Sequence, residues 1–149
     1  MRCVIQRVSN ASVTVDGKIS GKINKGVVVL VGIQAADTIR EINWMTEKIA
    51  NLRIFVDSDD KMNLSLLDIH GEMLIVSQFT LYGDCRKGRR PGYSSAAPPE
   101  IAEPLYEKFI ERVRQMNIPA ATGKFGAMMD VALINDGPVT LLLDSDKTF

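Results

Sequence analysis

Apolar and polar residues alternate with a period of two over residues 2–8, which predicts a half-buried strand. Residues 11–15 and 18–23 repeat the pattern on either side of Asp16-Gly17, a hairpin signal. Residues 27–31 are continuously apolar and predict a strand covered on both faces. The period then changes. Thr38 and Glu41 have the spacing of a capping box, and Ile39, Ile42, Met45, Ile49 and Leu52 recur at helical spacing. Trp44 on this helix reads as a packing or interface residue. A short strand is predicted at 54–56 and a buried one at 73–76. A second helix is predicted over 101–116, with Leu105, Phe109, Val113 and Met116 facing inward. Strand pieces from Ala120 lead to apolar runs at 131–134 and 141–143. These flank Asp136-Gly137 and predict a final hairpin, although Pro138 directly after it is out of place in a ladder. Two helices among many strands make a β-rich mixed α/β domain, and 149 residues fit one domain.

Composition supports a packed core. A domain of this size buries roughly 70% of its unfolded surface, and 46% of these residues are hydrophobic. No apolar run approaches the roughly 20 residues of a membrane helix, and no basic-then-apolar leader opens the chain. A cytoplasmic address without membrane contact is expected. Basic and acidic residues balance at 18 each, so global charge gives no pull toward nucleic acid. Any such contact needs a local patch. Residues 82–99 form a long polar loop, a length at which loops are often functional. It carries Arg86, Lys87, Arg89 and Arg90, four positive charges in five residues. This patch reads either as an RNA anchor or as a solvated surface.

The chain lacks the usual hydrolytic machinery. His70 is the only histidine, in a predicted turn; a Ser-His-Asp triad would have to use it. One histidine and two scattered cysteines make a poor zinc set. Cys3 sits in an apolar strand, where a structural thiol is expected. Cys85 lies in a polar loop beside Arg86 and Lys87, but a catalytic thiol wants a histidine partner. The run from Asp57 to Lys61 is superficially like a calcium loop; lysine at its fifth position and no glycine at its sixth favour a solvated turn.

Two stretches carry candidate chemistry. Ser77-Gln78-Phe79-Thr80-Leu81 closes the 73–76 strand with two hydroxyls and an amide. Groups held at a strand end can pin a polar ligand or line an oxyanion pocket, or simply be an exposed end. In Asn135-Asp136-Gly137-Pro138-Val139-Thr140, Gly137 allows close approach to its backbone, and a bond before proline is where a cis peptide costs least. A plain tight turn is the alternative.

Together these stretches resemble the D-aminoacyl-tRNA deacylase family. The likeness extends over nearly all of the chain, through the opening Met1-Arg2-Cys3-Val4-Ile5-Gln6-Arg7-Val8, Lys61-Met62-Asn63, Gly88-Arg89-Arg90-Pro91 and Lys124-Phe125-Gly126-Ala127-Met128-Met129. The resemblance implies two packed, barrel-like sheets with two main helices on one side, assembled as a homodimer with the active site at the subunit interface. It implies hydrolysis of the ester of D-aminoacyl-tRNA, with no cofactor and no metal. Ser77, Gln78, Phe79 and Thr80 become the catalytic candidates. Gly137 and Pro138, with a cis bond, are expected to reach the opposite subunit's site. Arg86, Lys87, Arg89 and Arg90 become candidates for the tRNA acceptor end. Phe125 and Met129 suit the terminal adenine, with core packing as the alternative.

An aminoacyl ester on ribose is already activated, so positioning and oxyanion stabilisation can suffice without a strong base. Two mechanisms stay open. Thr80 Oγ attacks the ester, or the motif holds the ester while the adjacent 2′-hydroxyl assists; the missing base favours the second. Stereochemistry can be read by obstruction. Rigid backbone at Gly137 and Pro138 blocks an L side chain and leaves the D direction open. Glycine has no side chain to exclude, so glycyl-tRNA is an expected substrate. Two other readings remain: a non-enzymatic RNA-binding module, and a hydrolase of another small ester using Thr80 or Cys85.

Overall fold

A computed structural model describes all 149 residues. Eight strands and two helices follow in the order β1 (Arg2–Val15), β2 (Lys18–Ile23), β3 (Gly26–Gly32), α1 (Ile39–Ala50), β4 (Phe55–Val56), β5 (Met62–Leu64), β6 (Glu72–Ser77), α2 (Pro99–Gln115), β7 (Ala120–Thr122) and β8 (Asp130–Asp144). A 3₁₀ turn, Phe79–Tyr82, follows β6.

Six strands form one sheet in the order β2-β1-β3-β6-β7, with β8 on the other edge of β1. β3 pairs with β6, and β6 with β7, in parallel. Parallel neighbours need crossovers, and helices supply them: α1 lies between β3 and β6, α2 between β6 and β7. Both helices share one core with the sheet face carrying Cys3, Ile5, Val29, Val31, Met73 and Ile75. The opposite face, with Val8, Val13, Ile23, Val28, Leu74 and Val76, fills a second core. The sheet curls around that second core until β2 meets β7. Ser20 Oγ donates to Thr122 O at 3.2 Å across the seam. This is the expected barrel-like, β-rich fold with its helices on one side; β4 and β5 make the small second sheet. No helix is long and apolar enough to cross a membrane.

Helix α1 starts where its capping box predicts. Arg40 N donates to Thr38 Oγ1 at 3.2 Å, and Thr38 N donates to Glu41 Oε2 at 2.8 Å. Ile42, Met45 and Ile49 are buried, while Trp44 is half-buried against the main core. Thr38→Ala leaves first-turn amides without acceptors. It is expected to lower unfolding free energy by about 1 kcal/mol, read from a urea midpoint shift at constant slope. Helix α2 begins at Pro99, two residues earlier than its periodicity indicates, because proline suits the first helical turn. Ala102, Tyr106, Phe109, Ile110 and Val113 carry its buried face; Leu105 and Met116 only flank it.

Two predicted elements turn out differently. The 2–8 and 11–15 segments are one continuous strand, β1. The final hairpin does not form: residues 130–144 are a single strand, β8, antiparallel to β1 along its length. Runs 131–134 and 141–143 each find β1 instead of each other. Between Gln6↔Thr140 and Val8↔Asn135 the register advances two residues on β1 and five on β8, so residues 136–139 bulge out of the ladder. The Asp-Gly pair therefore makes an excursion and not a reversal. The outer edge of β8 has no strand partner, and Ile134 and Leu142 are exposed beside it.

Candidate active site

The β6 strand ends at Ser77 because its neighbour ends too. Gln78 N donates to Val31 O at 2.8 Å, and the chain then folds into the 3₁₀ turn. Gly32, at the end of β3, makes room for it. A Cβ there would lie 2.9 Å from Leu81 Cβ and 3.1 Å from Gln78 O. Of the motif predicted as a strand end, only Ser77 is strand, and Phe79 to Leu81 belong to the turn. That difference is chemical. The first amides of a helical turn have no intrahelical acceptor. Here no side chain caps the turn, and the Phe79 and Thr80 amides find no acceptor in the chain. Two adjacent N–H donors are left free.

The motif side chains are arranged differently from a nucleophile and its base. Gln78 Nε2 donates to Thr80 Oγ1. An amide nitrogen cannot take a proton from that hydroxyl. His70 sits in a turn with φ of 50° and does not line the cleft. Cys3 is fully buried, and burial pushes its thiol pKa far up. Cys85 is exposed on the loop, also outside the cleft.

A cleft of about 640 Å³ opens beside the turn. Ser77, Gln78 and Phe79 line it together with Phe125, Met129 and Tyr93. The Phe79 ring meets Tyr93 edge-on at 5.2 Å between centroids. Phe125 tilts against Tyr106 at 5.8 Å, and Tyr106 is anchored by its hydroxyl donating to Ile75 O at 2.8 Å. Phe125 and Met129 each line the cleft and also pack against a core, so the two sequence readings of these residues coexist.

Other predicted residues lie outside the cleft of the single chain. Arg86, Lys87, Arg89 and Arg90 are exposed on the tip of the long loop. The loop is pinched by paired backbone bonds between Asp84 and Gly92, at 2.7 and 3.0 Å, which tie the tip to the segment bearing Tyr93. Arg86 is committed locally: its Nε and Nη2 donate to the Asp84 carboxylate at 2.9 and 2.7 Å. Those bonds hold the Asp84 carboxyl well below the usual carboxylate range. Lys87, Arg89 and Arg90 form no ion pair within the chain and present the loop's free charge.

Gly137 and Pro138 occupy the β8 bulge, exposed, with the peptide bond between them cis. A Cβ on Gly137 would collide with Val139 N and lie 3.3 Å from Arg7 Nη2. Sequence reasoning missed Arg7, which sits beneath the bulge with its side chain buried. Its Nε donates to Asp136 O at 2.7 Å, and its Nη1 donates to Ile54 O. Asn135 Nδ2 closes the base of the bulge, donating to Arg7 O at 2.8 Å and to Val139 O at 3.2 Å. A signal was present: Arg7 continues the inward positions Cys3 and Ile5, and a charge on a buried register needs fixed partners.

The family model for D-Tyr-tRNA(Tyr) deacylase matches residues 4–144. The chain is similar to the D-aminoacyl-tRNA deacylase of Thermosipho africanus, 62% identical over 149 residues and the full length of both chains. It is also similar to that of Clostridioides difficile, 58% identical over the full length of both. Among solved structures, one described as c-Myc DNA Unwinding Element Binding Protein superposes with a TM-score of 0.92 at 45% identity, covering 97% of this chain and 99% of that one. A probable eukaryotic D-amino acid tRNA deacylase superposes with a TM-score of 0.81 at 19% identity, covering 95% and 97%, which shows a shared fold.

Proposed function

This chain belongs to the D-Tyr-tRNA(Tyr) deacylase family, enzymes that hydrolyse D-aminoacyl-tRNA, and we propose that its ester is held by main-chain donors instead of being attacked by a side chain. The carrying observation is the pair of unpartnered amides at Phe79, which lines the cleft, and at Thr80, the next residue of the turn, with no base in reach of Thr80. Water adds to the carbonyl carbon, and the two amides take the charge that builds on its oxygen. The bond to the ribose oxygen breaks, releasing the D-amino acid as its carboxylate and restoring the 3′-hydroxyl. The vicinal 2′-hydroxyl of the terminal adenosine assists the proton transfers. Ser77 and Gln78 complete the wall, and Phe125 and Met129 offer an apolar and thioether surface for the adenine.

A second copy of the chain completes the site. The free β8 edge and its exposed Ile134 and Leu142 supply a surface for a two-fold partner, and the exposed bulge carries Gly137 and Pro138 across it. There they obstruct an L side chain, leave D substrates free and leave glycyl-tRNA unopposed. Lys87, Arg89 and Arg90 contact acceptor-end phosphates. Charged tRNA places this work in the cytoplasm.

D-tyrosyl-tRNA and L-tyrosyl-tRNA assayed in parallel test this reading. Release of D alone is expected. Equal release would favour a broader ester hydrolase. Release of neither, with tRNA still bound, would favour a binding module, a reading that the exposed basic tip keeps open. Thr80→Ala is expected to keep turnover within about tenfold of the parent. Loss of a true nucleophile costs on the order of 10⁶ in kcat, so the two mechanisms separate cleanly.

A further inference from the structure

Arg2, Gly32 and Asp144 lie side by side across three strands. Arg2 pairs with Gly32 on β3 and with Asp144 on β8. The glycine leaves its place in this row empty, and the 3₁₀ turn fills it: a Cβ on Gly32 would meet Leu81 Cβ at 2.9 Å and Tyr82 Cδ2 at 3.4 Å. The arginine beside the gap grips what enters. Its Nη1 donates to Leu81 O at 3.2 Å, and its guanidinium carbon lies 4.7 Å from the Tyr82 ring centroid. Its Nε faces Asp144 Oδ2 at 3.4 Å, and that carboxylate is itself buried.

We propose that Arg2 is a positioning residue for the hydrolysis, seating the Phe79–Tyr82 turn so that the Phe79 and Thr80 amides point at the ester oxygen. This rests on the reading that those two amides hold the ester. The turn is only four residues long. Its N-terminal end must stay unpaired to work, so its hold has to come from the other end. Leu81 O is a carbonyl at that end with no continuing helix to serve it. A charged donor satisfies it, and the stack on Tyr82 fixes the plane of the guanidinium. Asp144 aims the guanidinium from the far side. Rate depends steeply on where oxyanion donors sit, while substrate binding spreads over the whole cleft. Loosening this seat therefore lowers kcat with little change in KM.

Arg2→Lys keeps the charge and loses the planar fork and the stack. With D-tyrosyl-tRNA as substrate, kcat is expected to fall about tenfold, KM to stay within twofold and the thermal midpoint to stay within a few degrees. Gly32→Ala provides an independent route that leaves Arg2 intact. Its methyl pushes Leu81 and Gln78 O, and the same selective fall in kcat is expected. Both variants are compared with the Phe79→Pro and Phe79→Ala pair, which tests the amide reading alone. Unchanged kcat in folded Arg2→Lys and Gly32→Ala, with Phe79→Pro impaired relative to Phe79→Ala, overturns the positioning role and leaves the amide reading standing. A loss of kcat that merely tracks a loss of folded protein also overturns it. If Phe79→Pro matches Phe79→Ala, the amide reading falls and the positioning role falls with it.

Discussion

Gly137→Ala is expected to erase most of the discrimination between D- and L-tyrosyl-tRNA, lowering the ratio of their kcat/KM values at least tenfold. A tenfold change corresponds to about 1.4 kcal/mol of differential binding. The added Cβ has nowhere to go. Val139 N, a backbone atom of the same bulge, stands in its way, and Arg7 Nη2 lies 3.3 Å off on the other side. Backbone cannot swing aside as a flexible side chain can, so the bulge itself must move. An obstruction works only while it is rigid and in place; a shift of a few tenths of an ångström opens room for an L side chain. Arg7 and Asn135 hold the bulge from beneath, at its own base, so the disturbance stays local. D-substrate turnover should fall less than L turnover rises. Parallel single-turnover measurements on the two esters read the ratio directly. An unchanged ratio in a folded variant would remove Gly137 from the filter.

Local elements of this fold were legible because their causes are local. The Thr38–Glu41 box and the 3.6 spacing of Ile42, Met45 and Ile49 act within a few residues, and α1 follows them. The apolar run before Ser77 is a buried strand for the same reason. The β8 bulge shows the limit. Asp136-Gly137 between two apolar runs is the same local signal for a hairpin and for an excursion. The choice is made by β1, a 14-residue strand long enough to pair with both runs. Nothing near residue 137 encodes that length. Candidate site residues divide the same way. Ser77 and Gln78 announce themselves as a polar end to an apolar strand. That Phe125 and Met129 face them across one cleft follows from the α2 crossover placing β7 next to β6. Arg7 was readable only as a charge in an inward register. Its partners, Asp136 and Ile54, come from distant segments.

Phe79→Pro is expected to cost a further 10²–10³ in kcat beyond Phe79→Ala, about 2.7–4 kcal/mol of transition-state stabilisation, the range for losing one oxyanion donor. Position 79 allows this comparison because it opens the 3₁₀ turn. Its backbone N–H has no acceptor in the chain, so proline breaks no internal hydrogen bond. Proline's fixed φ suits the first position of a helical turn. The preceding Gln78 has φ −144° and ψ 77°, outside the helical region that a residue before proline must avoid. The Phe79 ring is more than half exposed, so its loss exposes little core. Phe79→Ala removes the ring and its contact with Tyr93 while keeping the N–H. The difference between the two variants isolates one donor. KM should move in parallel for both, since each loses the same ring from the cleft wall, and kcat alone should separate them. Equal kcat in the two variants would remove the Phe79 N–H from oxyanion stabilisation, whichever group attacks the ester.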